Sequence, residues 1–106
     1  MVREFNVHLV NLDPAQGSEM KKIRHCVVLS SANMNAALGT AIIAPMTTKG
    51  RSYPTRVTVS FLKKTGQIVL DQIRTVDKSR LVKKMGKISV SESEEVLNIL
   101  QQLFAK

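Results

Sequence analysis

The sequence predicts a mainly β fold with helices, in which a small, strongly curved sheet or partly open barrel is followed by a C-terminal α-helix. Three observations predict it. The chain has 106 residues, about the size of one ordinary domain, so we treat residues 1–106 as a single domain. Five or six short apolar or alternating segments are separated by turn residues. Helical spacing of apolar residues is clearest near the C-terminus.

The first strands are predicted from apolar segments that end at turn residues. Residues 7–12 are mostly apolar and stop at an Asp-Pro pair, which predicts a strand followed by a turn. Residues 13–23 contain glycine, serine and two lysines, and they predict a loop longer than a usual hairpin connection. Residues 24–30 predict a second strand, and residues 31–38 predict a short helical or irregular crossing.

The middle of the chain predicts further strands. Residues 41–46 are apolar throughout, which predicts a third strand buried on both faces. Residues 47–54 form a polar, basic segment that predicts a loop, and residues 55–61 alternate as in a half-buried strand. The remaining predictions are a turn at residues 63–66, a strand that begins at residues 67–70 and a last strand at residues 81–88.

The C-terminal segment predicts the clearest helix. Ser91 and Glu94 have the spacing of a capping box, in which each side chain accepts a hydrogen bond from a free backbone N–H. Apolar residues then recur at helical spacing and form one stripe. We expect this stripe to pack on the core, although it could also be a dimer contact. Its members are Val96, Leu97, Leu100, Leu103 and Phe104.

The charge of the chain favours a polyanionic partner. Sixteen Lys and Arg residues stand against eight Asp and Glu residues, and the formal net charge is +8. Residues 1–90 hold 15 of the basic and five of the acidic side chains, so the excess lies outside the predicted helix. A basic body suits RNA or DNA, because neutralising phosphates releases bound counterions.

Cysteine content and hydropathy indicate the compartment. Cys26 is the one cysteine, so an internal disulfide is excluded, and no Cys/His cluster predicts a zinc site. We therefore expect no metal and no cofactor. The polar N-terminus is unlike a signal peptide, and the longest apolar run is too short to span a membrane. These features predict a cytoplasmic protein without a membrane partner.

Most familiar catalytic motifs are absent from the sequence. It has neither a Gly-rich phosphate loop nor a GxSxG turn, and its carboxylates are few. What remains is a set of basic and hydroxyl residues in predicted loops and at strand ends. Such a set suits RNA cleavage by the substrate's own 2′-hydroxyl, in which the enzyme aligns the phosphate and stabilises its charge. The set comprises Lys21, Lys22, Arg24, Thr47, Thr48, Lys49, Arg51, Arg56 and Arg74.

Three stretches, in this order, resemble the MazF/PemK toxins of bacterial toxin–antitoxin pairs. The first has Leu-Val-Asn-Leu-Asp-Pro at residues 9–14 and Gly-Ser-Glu at 17–19, and it continues to Arg24. The second has Ile-Ile-Ala-Pro-Met-Thr-Thr-Lys-Gly-Arg at 42–51, followed by Tyr-Pro-Thr at 53–55. The third has Leu-Asp-Gln-Ile-Arg-Thr-Val-Asp-Lys at 70–78, followed by Arg-Leu at 80–81. With the helical tail, the likeness covers essentially the whole chain.

The resemblance implies a compact SH3-like barrel that works as a homodimer and is neutralised by a small MazE-like antitoxin. It implies metal-independent cleavage of single-stranded mRNA at a short sequence, leaving a 2′,3′-cyclic phosphate and a 5′-hydroxyl. The catalytic pair corresponds to Arg24 and Thr47 here. Arg24 would stabilise charge and deliver a proton, and Thr47 would hold the scissile phosphate. The RNA-binding positions would be Glu19, Lys21, Lys22, Thr48, Lys49, Arg51, Tyr53 and Gln72.

One departure from the family pattern adjoins the expected catalytic arginine. The family usually has proline after that arginine, whereas this chain has His25. Neighbouring side chains on a strand point to opposite faces, so we expect His25 to face away from the Arg24 site as a tolerated substitution. The alternative is a pH-sensitive helper in the reaction.

Two other functions are compatible with parts of the pattern. A CcdB-like poison of DNA gyrase shares the implied fold, but such proteins act through a C-terminal Trp-Gly-Ile. This chain has no tryptophan and ends Phe-Ala-Lys, which argues against a gyrase poison. A catalytically silent RNA-binding relative is the second alternative, and it is favoured only by the histidine beside Arg24.

Overall fold

Seven short strands and two helices make up the described part of the chain. The computed structural model describes residues 2–12, 23–48 and 53–105. Short 3₁₀ turns at Leu70–Gln72 and Lys78–Arg80 flank the sixth strand. The elements are β1 (Asn6–Asn11), β2 (Ile23–Val28), α1 (Ala32–Ala37), β3 (Thr40–Thr47), β4 (Arg56–Phe61), β5 (Lys64–Val69), β6 (Arg74–Asp77), β7 (Leu81–Lys87) and α2 (Val90–Leu103).

The strands form one curled antiparallel sheet in the order β4-β5-β3-β2-β1-β7, and β6 also pairs with β3. The third strand holds the sheet together because it has three partners. Its first four residues, 40–43, pair with β6, its middle residues, 43–45, pair with β2, and its last two residues pair with β5. This change of partner curls the sheet, and the predicted fold class, a curved sheet with a C-terminal helix, is confirmed.

Along one edge of β3 the partner changes from β6 to β5, and along the other edge the pairing with β2 ends at Pro45. Its last pair with β2 joins Pro45 to Cys26, and its next residues pair Met46 with Ile68 and Thr47 with Gln67 of β5. The first residues of β2 remain paired with β1 on their other side. Strands β2 and β3 therefore separate beyond Pro45, and a gap opens between their ends.

Two apolar clusters cover opposite faces of the central strands. Residues Val7, Val27 and Ala44 belong to the larger cluster, which also packs against α2. Val28 and Ile43 belong to the smaller cluster on the other face. Because side chains alternate along a strand, β3 contributes to both clusters. The prediction that the third strand is buried on both faces is confirmed.

The hairpin between β4 and β5 turns earlier than the sequence predicted. Phe61 pairs with Lys64, so the loop consists of Leu62 and Lys63 alone, and both have positive φ (50° and 62°). Two-residue hairpin loops of this kind suit Asn and Gly, which tolerate positive φ. Of the turn predicted at residues 63–66, only Lys63 lies in the loop; the rest was wrong, because Lys64, Thr65 and Gly66 begin β5.

The helix α2 also begins earlier than predicted. Its capping box is Ser89 with Glu92, each accepting from the other's backbone N–H, rather than Ser91 with Glu94. Of the predicted apolar stripe, Val96 is fully buried, and Leu100 and Leu103 pack on the core with Ile99. Leu97 and Phe104 are exposed, 45% and 76% respectively, so they were wrongly included.

Other predicted elements have mixed outcomes. The short crossing at residues 31–38 is confirmed as the helix α1, which Ser31 caps by accepting from the Met34 backbone N–H. The strand β6 was not predicted. The predicted loop at 13–23 lies almost entirely outside the described residues, as does much of the loop at 47–54. Across the described ranges, none of the helices has the length and apolar character needed to cross a membrane.

Candidate functional site

A cleft of about 550 Å³ lies where β2 and β3 separate. One wall is formed by the start of β2 and the end of β3, and the other by the β4–β5 hairpin. The gap exists because Pro45 is the last residue of β3 to pair with β2. The described lining residues are Ile23, Arg24, His25, Met46, Thr47, Thr48, Val59, Phe61, Leu62, Lys64 and Gly66.

The two predicted catalytic residues line this same cleft, although they come from separate strands. Arg24 is exposed near the start of β2, and Thr47 is half-buried at the end of β3. Continuing the β2–β3 register two residues beyond its last pair aligns Arg24 with Thr47. The fold thus brings a guanidinium and a hydroxyl to one cavity, where both can interact with one phosphate group.

Other polar groups complete the described lining. Thr48 is exposed beside Thr47, and Lys64 extends from the first position of β5. Lysine and arginine side chains are hydrogen-bond donors with positive charge. Within the described residues, no carboxylate lines the cleft. The site is therefore cationic and suited to an anionic ligand.

Arg24 and His25 both line the cleft. The β1–β2 register is unbroken from Ile23 to Val27, so successive side chains of β2 still point to opposite faces. His25 shares its face with Val27 of the larger cluster and Arg24 shares its face with Cys26 of the smaller one, which agrees with the expectation that His25 faces away from Arg24.

At His25 the strand β2 is paired only with Leu9 of β1, and its other edge borders the gap. Its imidazole packs edge-on against the Phe61 ring, with the ring centres 6.1 Å apart. The Nε2 atom is buried and has no hydrogen-bond partner among the described residues.

Two predicted RNA-binding residues lie elsewhere, near the open end of the β4–β5 hairpin. The Tyr53 ring lies 4.7 Å from the guanidinium carbon of Arg56, in a cation–π contact. The Arg56 guanidinium also contacts Asp71 at 3.4 Å, and the Thr55 hydroxyl donates to the same carboxylate at 3.0 Å. Gln72 follows Asp71 in an exposed 3₁₀ turn. Neither Tyr53 nor Gln72 is among the residues that line the cleft.

Several predicted site residues lie outside the described part of the chain. They fall at residues 13–22 and 49–52. Their assignment to RNA binding stays a prediction. They are Glu19, Lys21, Lys22, Lys49 and Arg51.

The sequence analysis missed two residues of the cleft, one polar (Lys64) and one closely packed (Gly66). Lys64 and Gly66 were assigned to a turn, yet both lie on β5 and line the cavity. A Cβ added at Gly66 would lie 2.7 Å from the Thr47 carbonyl oxygen. A two-residue loop placed directly after the alternating strand predicted at 55–61 would have put both residues on β5, facing the end of β3.

The single cysteine is outside the cleft. Cys26 is fully buried in the smaller apolar cluster. Burial raises the pKa of its thiol to about 12, although Arg74 and Arg24 oppose this shift. The thiol therefore stays protonated near neutral pH and is a poor nucleophile. Nowhere in the described ranges do three His, Cys, Asp or Glu side chains group as metal ligands would.

The curled antiparallel sheet, the C-terminal helix and the cationic cleft together define a small, partly open β-barrel protein with a site suited to an anionic ligand. A family model described as "PemK-like, MazF-like toxin of type II toxin-antitoxin system" matches residues 3–104. The chain therefore belongs to the PemK-like and MazF-like toxins of type II toxin–antitoxin systems. The predicted family is confirmed, and with it the predicted enzyme class, a MazF-type endoribonuclease.

Individual relatives agree with this membership. The chain is 37% identical to the "Endoribonuclease MazF" of Staphylococcus saprophyticus over 108 residues, covering 94% of this chain and 88% of the relative. A solved MazF structure from Deinococcus radiodurans is 27% identical and has a TM-score of 0.80. The match covers 96% of this chain and 94% of that one. A MazE–MazF complex from the same organism gives a TM-score of 0.83 at 27% identity, with the same coverage of both chains.

Proposed function

We propose that this toxin cleaves single-stranded mRNA at a short sequence by attack of the 2′-hydroxyl on the adjacent phosphate. The products are a 2′,3′-cyclic phosphate and a 5′-hydroxyl, and no metal takes part. The observation that carries the proposal is the shared cleft of Arg24 and Thr47. A nucleophile that comes with the substrate leaves the protein two tasks, which are alignment and charge stabilisation.

The two residues have separate roles in this proposal. Arg24 is exposed in the cleft and carries a planar fork of donors that matches phosphate oxygens. It stabilises the charge that develops on the phosphorane and delivers a proton towards the leaving 5′-oxygen. The Thr47 hydroxyl holds the scissile phosphate in line, and Thr48 and Lys64 extend the cationic, hydrogen-bonding wall.

The RNA is proposed to continue beyond the cleft and to contact residues of the two loops that the sequence predicts at 13–23 and 47–54. Lys21, Lys22, Lys49 and Arg51 would contact its backbone, and Glu19 would also contact the RNA. Tyr53 and Gln72 lie near the open end of the hairpin, where an exposed ring and an amide can stack on or hydrogen-bond to a base. These two residues would then read a base at some distance from the bond that is cut.

A MazE-like antitoxin is the proposed inhibitor of this chain, which would act as a homodimer in the cytoplasm. The Deinococcus radiodurans relatives include MazF in complex with MazE. The formal net charge of +8 and the cationic cleft favour an acidic antitoxin segment that occupies the RNA site. Such a complex should weaken as salt is raised, because salt screens exposed charges.

The test compares Arg24→Ala with Arg3→Ala, which removes an exposed arginine away from the cleft. The purified proteins are incubated with a long single-stranded RNA in EDTA, and new 5′-hydroxyl ends are counted by enzymatic phosphorylation. Removing one such charge-stabilising donor typically lowers the rate by roughly 10²- to 10³-fold. We expect that loss for Arg24→Ala and an unchanged rate for Arg3→Ala, with both variants folded.

Other results would point to a different function. Full activity of Arg24→Ala would refute the assigned role. Binding of RNA by the wild type without cutting would indicate a silent relative. Intact RNA combined with stalled gyrase would indicate a gyrase poison.

A further inference from the structure

We propose that Arg74 binds a second phosphate of the RNA, near the one that Arg24 and Thr47 hold, and so fixes the path of the strand on one side of the cut bond. The inference rests on the proposed function and extends its binding site beyond the cleft. It starts from the face of the sheet on which these three side chains lie.

The strand registers place Arg24, Thr47 and Arg74 on one face. On β2, Arg24 shares its face with Cys26 of the smaller apolar cluster, and on β3, Thr47 shares its face with Ile43 of the same cluster. Arg74 is paired directly with Ile43 between β6 and β3. Side chains of directly paired residues project from the same face of a sheet. Arg74 therefore projects from the face that carries the two proposed catalytic residues.

The smaller apolar cluster ends in an arginine on both sides of β3. Along β2 this face changes from Cys26 to Arg24, and along β6 it changes from Val76 to Arg74. Both strands run antiparallel to β3, so both arginines lie towards the end of β3 that carries Thr47. Burial raises the pKa of the Cys26 thiol, and the charges of Arg74 and Arg24 oppose that shift. Both guanidinium groups thus lie near the same buried side chain.

Within the described ranges, no carboxylate neutralises Arg74, which is exposed. Asp77 is three positions further along β6, so its side chain points to the opposite face, and it accepts from the Ser79 backbone N–H at 2.9 Å. The ion pair that the described residues do form joins Arg56 to Asp71. An exposed guanidinium without a carboxylate is available to an anion, and its planar fork of donors matches phosphate oxygens.

The position of Arg74 assigns it to a different phosphate from the scissile one. Arg74 lies opposite Ile43, four residues before Thr47 on β3. Four residues of strand correspond to about 13 Å, and the neighbouring strand adds about 5 Å to the side. A strand of RNA that leaves the scissile phosphate over this face would bring another phosphate to Arg74. Because that phosphate does not react, Arg74 should strengthen the binding of substrate and transition state equally.

The experiment compares Arg74→Gln and Arg74→Lys with Arg3→Gln, a control that removes an exposed arginine ahead of β1. Binding is measured by fluorescence anisotropy with a short RNA that has a 2′-deoxy sugar at the mapped cut site. In a second series of the same RNA, one phosphate at a time is replaced by an uncharged methylphosphonate. Single-turnover cleavage of the unmodified RNA is measured in EDTA at saturating protein.

We expect Arg74→Gln to weaken RNA binding by roughly 10-fold, the effect of losing one charge-assisted hydrogen bond. The cleavage rate at saturation should stay unchanged, because only uniform binding is lost. Arg74→Lys should bind more tightly than Arg74→Gln, since lysine keeps the charge but not the fork. Arg3→Gln should behave as the wild type in both measurements.

The methylphosphonate series identifies the contact itself. In the wild type, replacing one particular phosphate near the cut bond should weaken binding, and in Arg74→Gln the same replacement should have no further effect. Two changes that remove one shared contact are not additive, whereas changes at independent contacts are. Arg3→Gln should keep the wild-type sensitivity at that phosphate.

Three results would overturn the inference while leaving the proposed function intact. The first is wild-type binding by Arg74→Gln. The second is additive loss at every phosphate, which would mean that Arg74 acts through the overall charge or the fold. The third is a lower rate at saturation with unchanged binding, which would place Arg74 at the reacting phosphate.

Two further outcomes are also decisive. If the wild type binds RNA without cutting it, the proposed function is rejected, and the intact RNA then serves in the same binding series. If Arg74→Gln is unfolded by circular dichroism, Arg74→Lys takes its place. The identified methylphosphonate should then weaken binding less in Arg74→Lys than in the wild type, and an equal effect would contradict the inference.

Discussion

At the scale of single residues, two backbone segments of the cleft approach closely at Gly66. A Cβ on this residue would lie 2.7 Å from the carbonyl oxygen of Thr47, and backbone cannot yield as a flexible side chain can. We therefore predict that Gly66→Ala shifts the end of β3, lowers the free energy of unfolding by about 1–3 kcal/mol, and slows RNA cleavage. Urea unfolding and the cleavage assay check the two effects.

The chain offers a matched control for this prediction. Gly39 lies between α1 and β3, and a Cβ there would meet nothing within 4 Å. Gly39→Ala should therefore leave both stability and cleavage close to wild type. Equal behaviour of the two variants would show that the contact between Gly66 and Thr47 is not tight enough to position the cleft.

The site residues differ in how well the sequence alone predicted them. Arg24 and Thr47 were assigned by resemblance, and the change of partner along β3 explains why they share a cavity. The expectation that His25 faces away from Arg24 agrees with the unbroken register between β1 and β2. Lys64 was missed because its place depends on which residues form the hairpin loop. That error concerns tertiary geometry that local spacing does not contain.

At the scale of elements, Glu92 joins the helix α2 to the sheet. One carboxylate oxygen accepts from the Ser89 backbone N–H at 2.9 Å, and the other accepts from the Ser60 backbone N–H of β4 at 3.0 Å. We predict that Glu92→Ala lowers the free energy of unfolding by about 1–2 kcal/mol, because a helix cap and a bond between elements are lost together. Glu94→Ala is the control, since Glu94 is exposed on the same helix.

The same carboxylate gives this prediction a pH dependence. Burial raises the pKa of Glu92, but the hydrogen bonds from Ser89 and Ser60 outweigh it and hold the pKa below its ordinary 4.5. A lowered native pKa means that the unfolded chain binds more protons, so this stabilisation is present above pH 4.5 and is lost as the pH falls. The difference between wild type and Glu92→Ala should therefore be large at pH 7 and small near pH 3. A difference that is constant with pH would contradict the assigned role of the carboxylate.

The secondary-structure elements differ in how accurately the sequence predicted them. Buried strands such as β3 were found because a short apolar run is distinctive. The capping box was placed two residues late, because Ser89/Glu92 and Ser91/Glu94 have the same spacing and only the tertiary contact of Glu92 with Ser60 separates them. The strand β6 was missed because its four residues have one buried side chain, Val76, and it forms only by pairing with β3.

At the scale of the whole molecule, the net charge of +8 can act as a general attraction or be focused in the cleft. The two possibilities differ in how the affinity for RNA depends on salt. Each phosphate that a lysine or arginine neutralises on single-stranded RNA contributes about 0.7 to the slope of log affinity against log salt. If the overall charge alone attracted RNA, this slope would not depend on any one particular residue.

Lys64 and Lys83 allow these possibilities to be separated. Both are exposed lysines on strands, but Lys64 lines the cleft whereas Lys83 lies on β7 and does not. We predict that Lys64→Gln reduces the magnitude of the salt slope by about 0.7, because it removes one phosphate contact. Lys83→Gln should leave the slope unchanged. Fluorescence anisotropy with an RNA that has a 2′-deoxy sugar at the cut site, from low to physiological salt, measures both slopes. Equal reductions of the salt slope in the two variants would mean that the charge of the whole surface holds the RNA. That result would contradict the assignment of the cleft as the RNA-binding site.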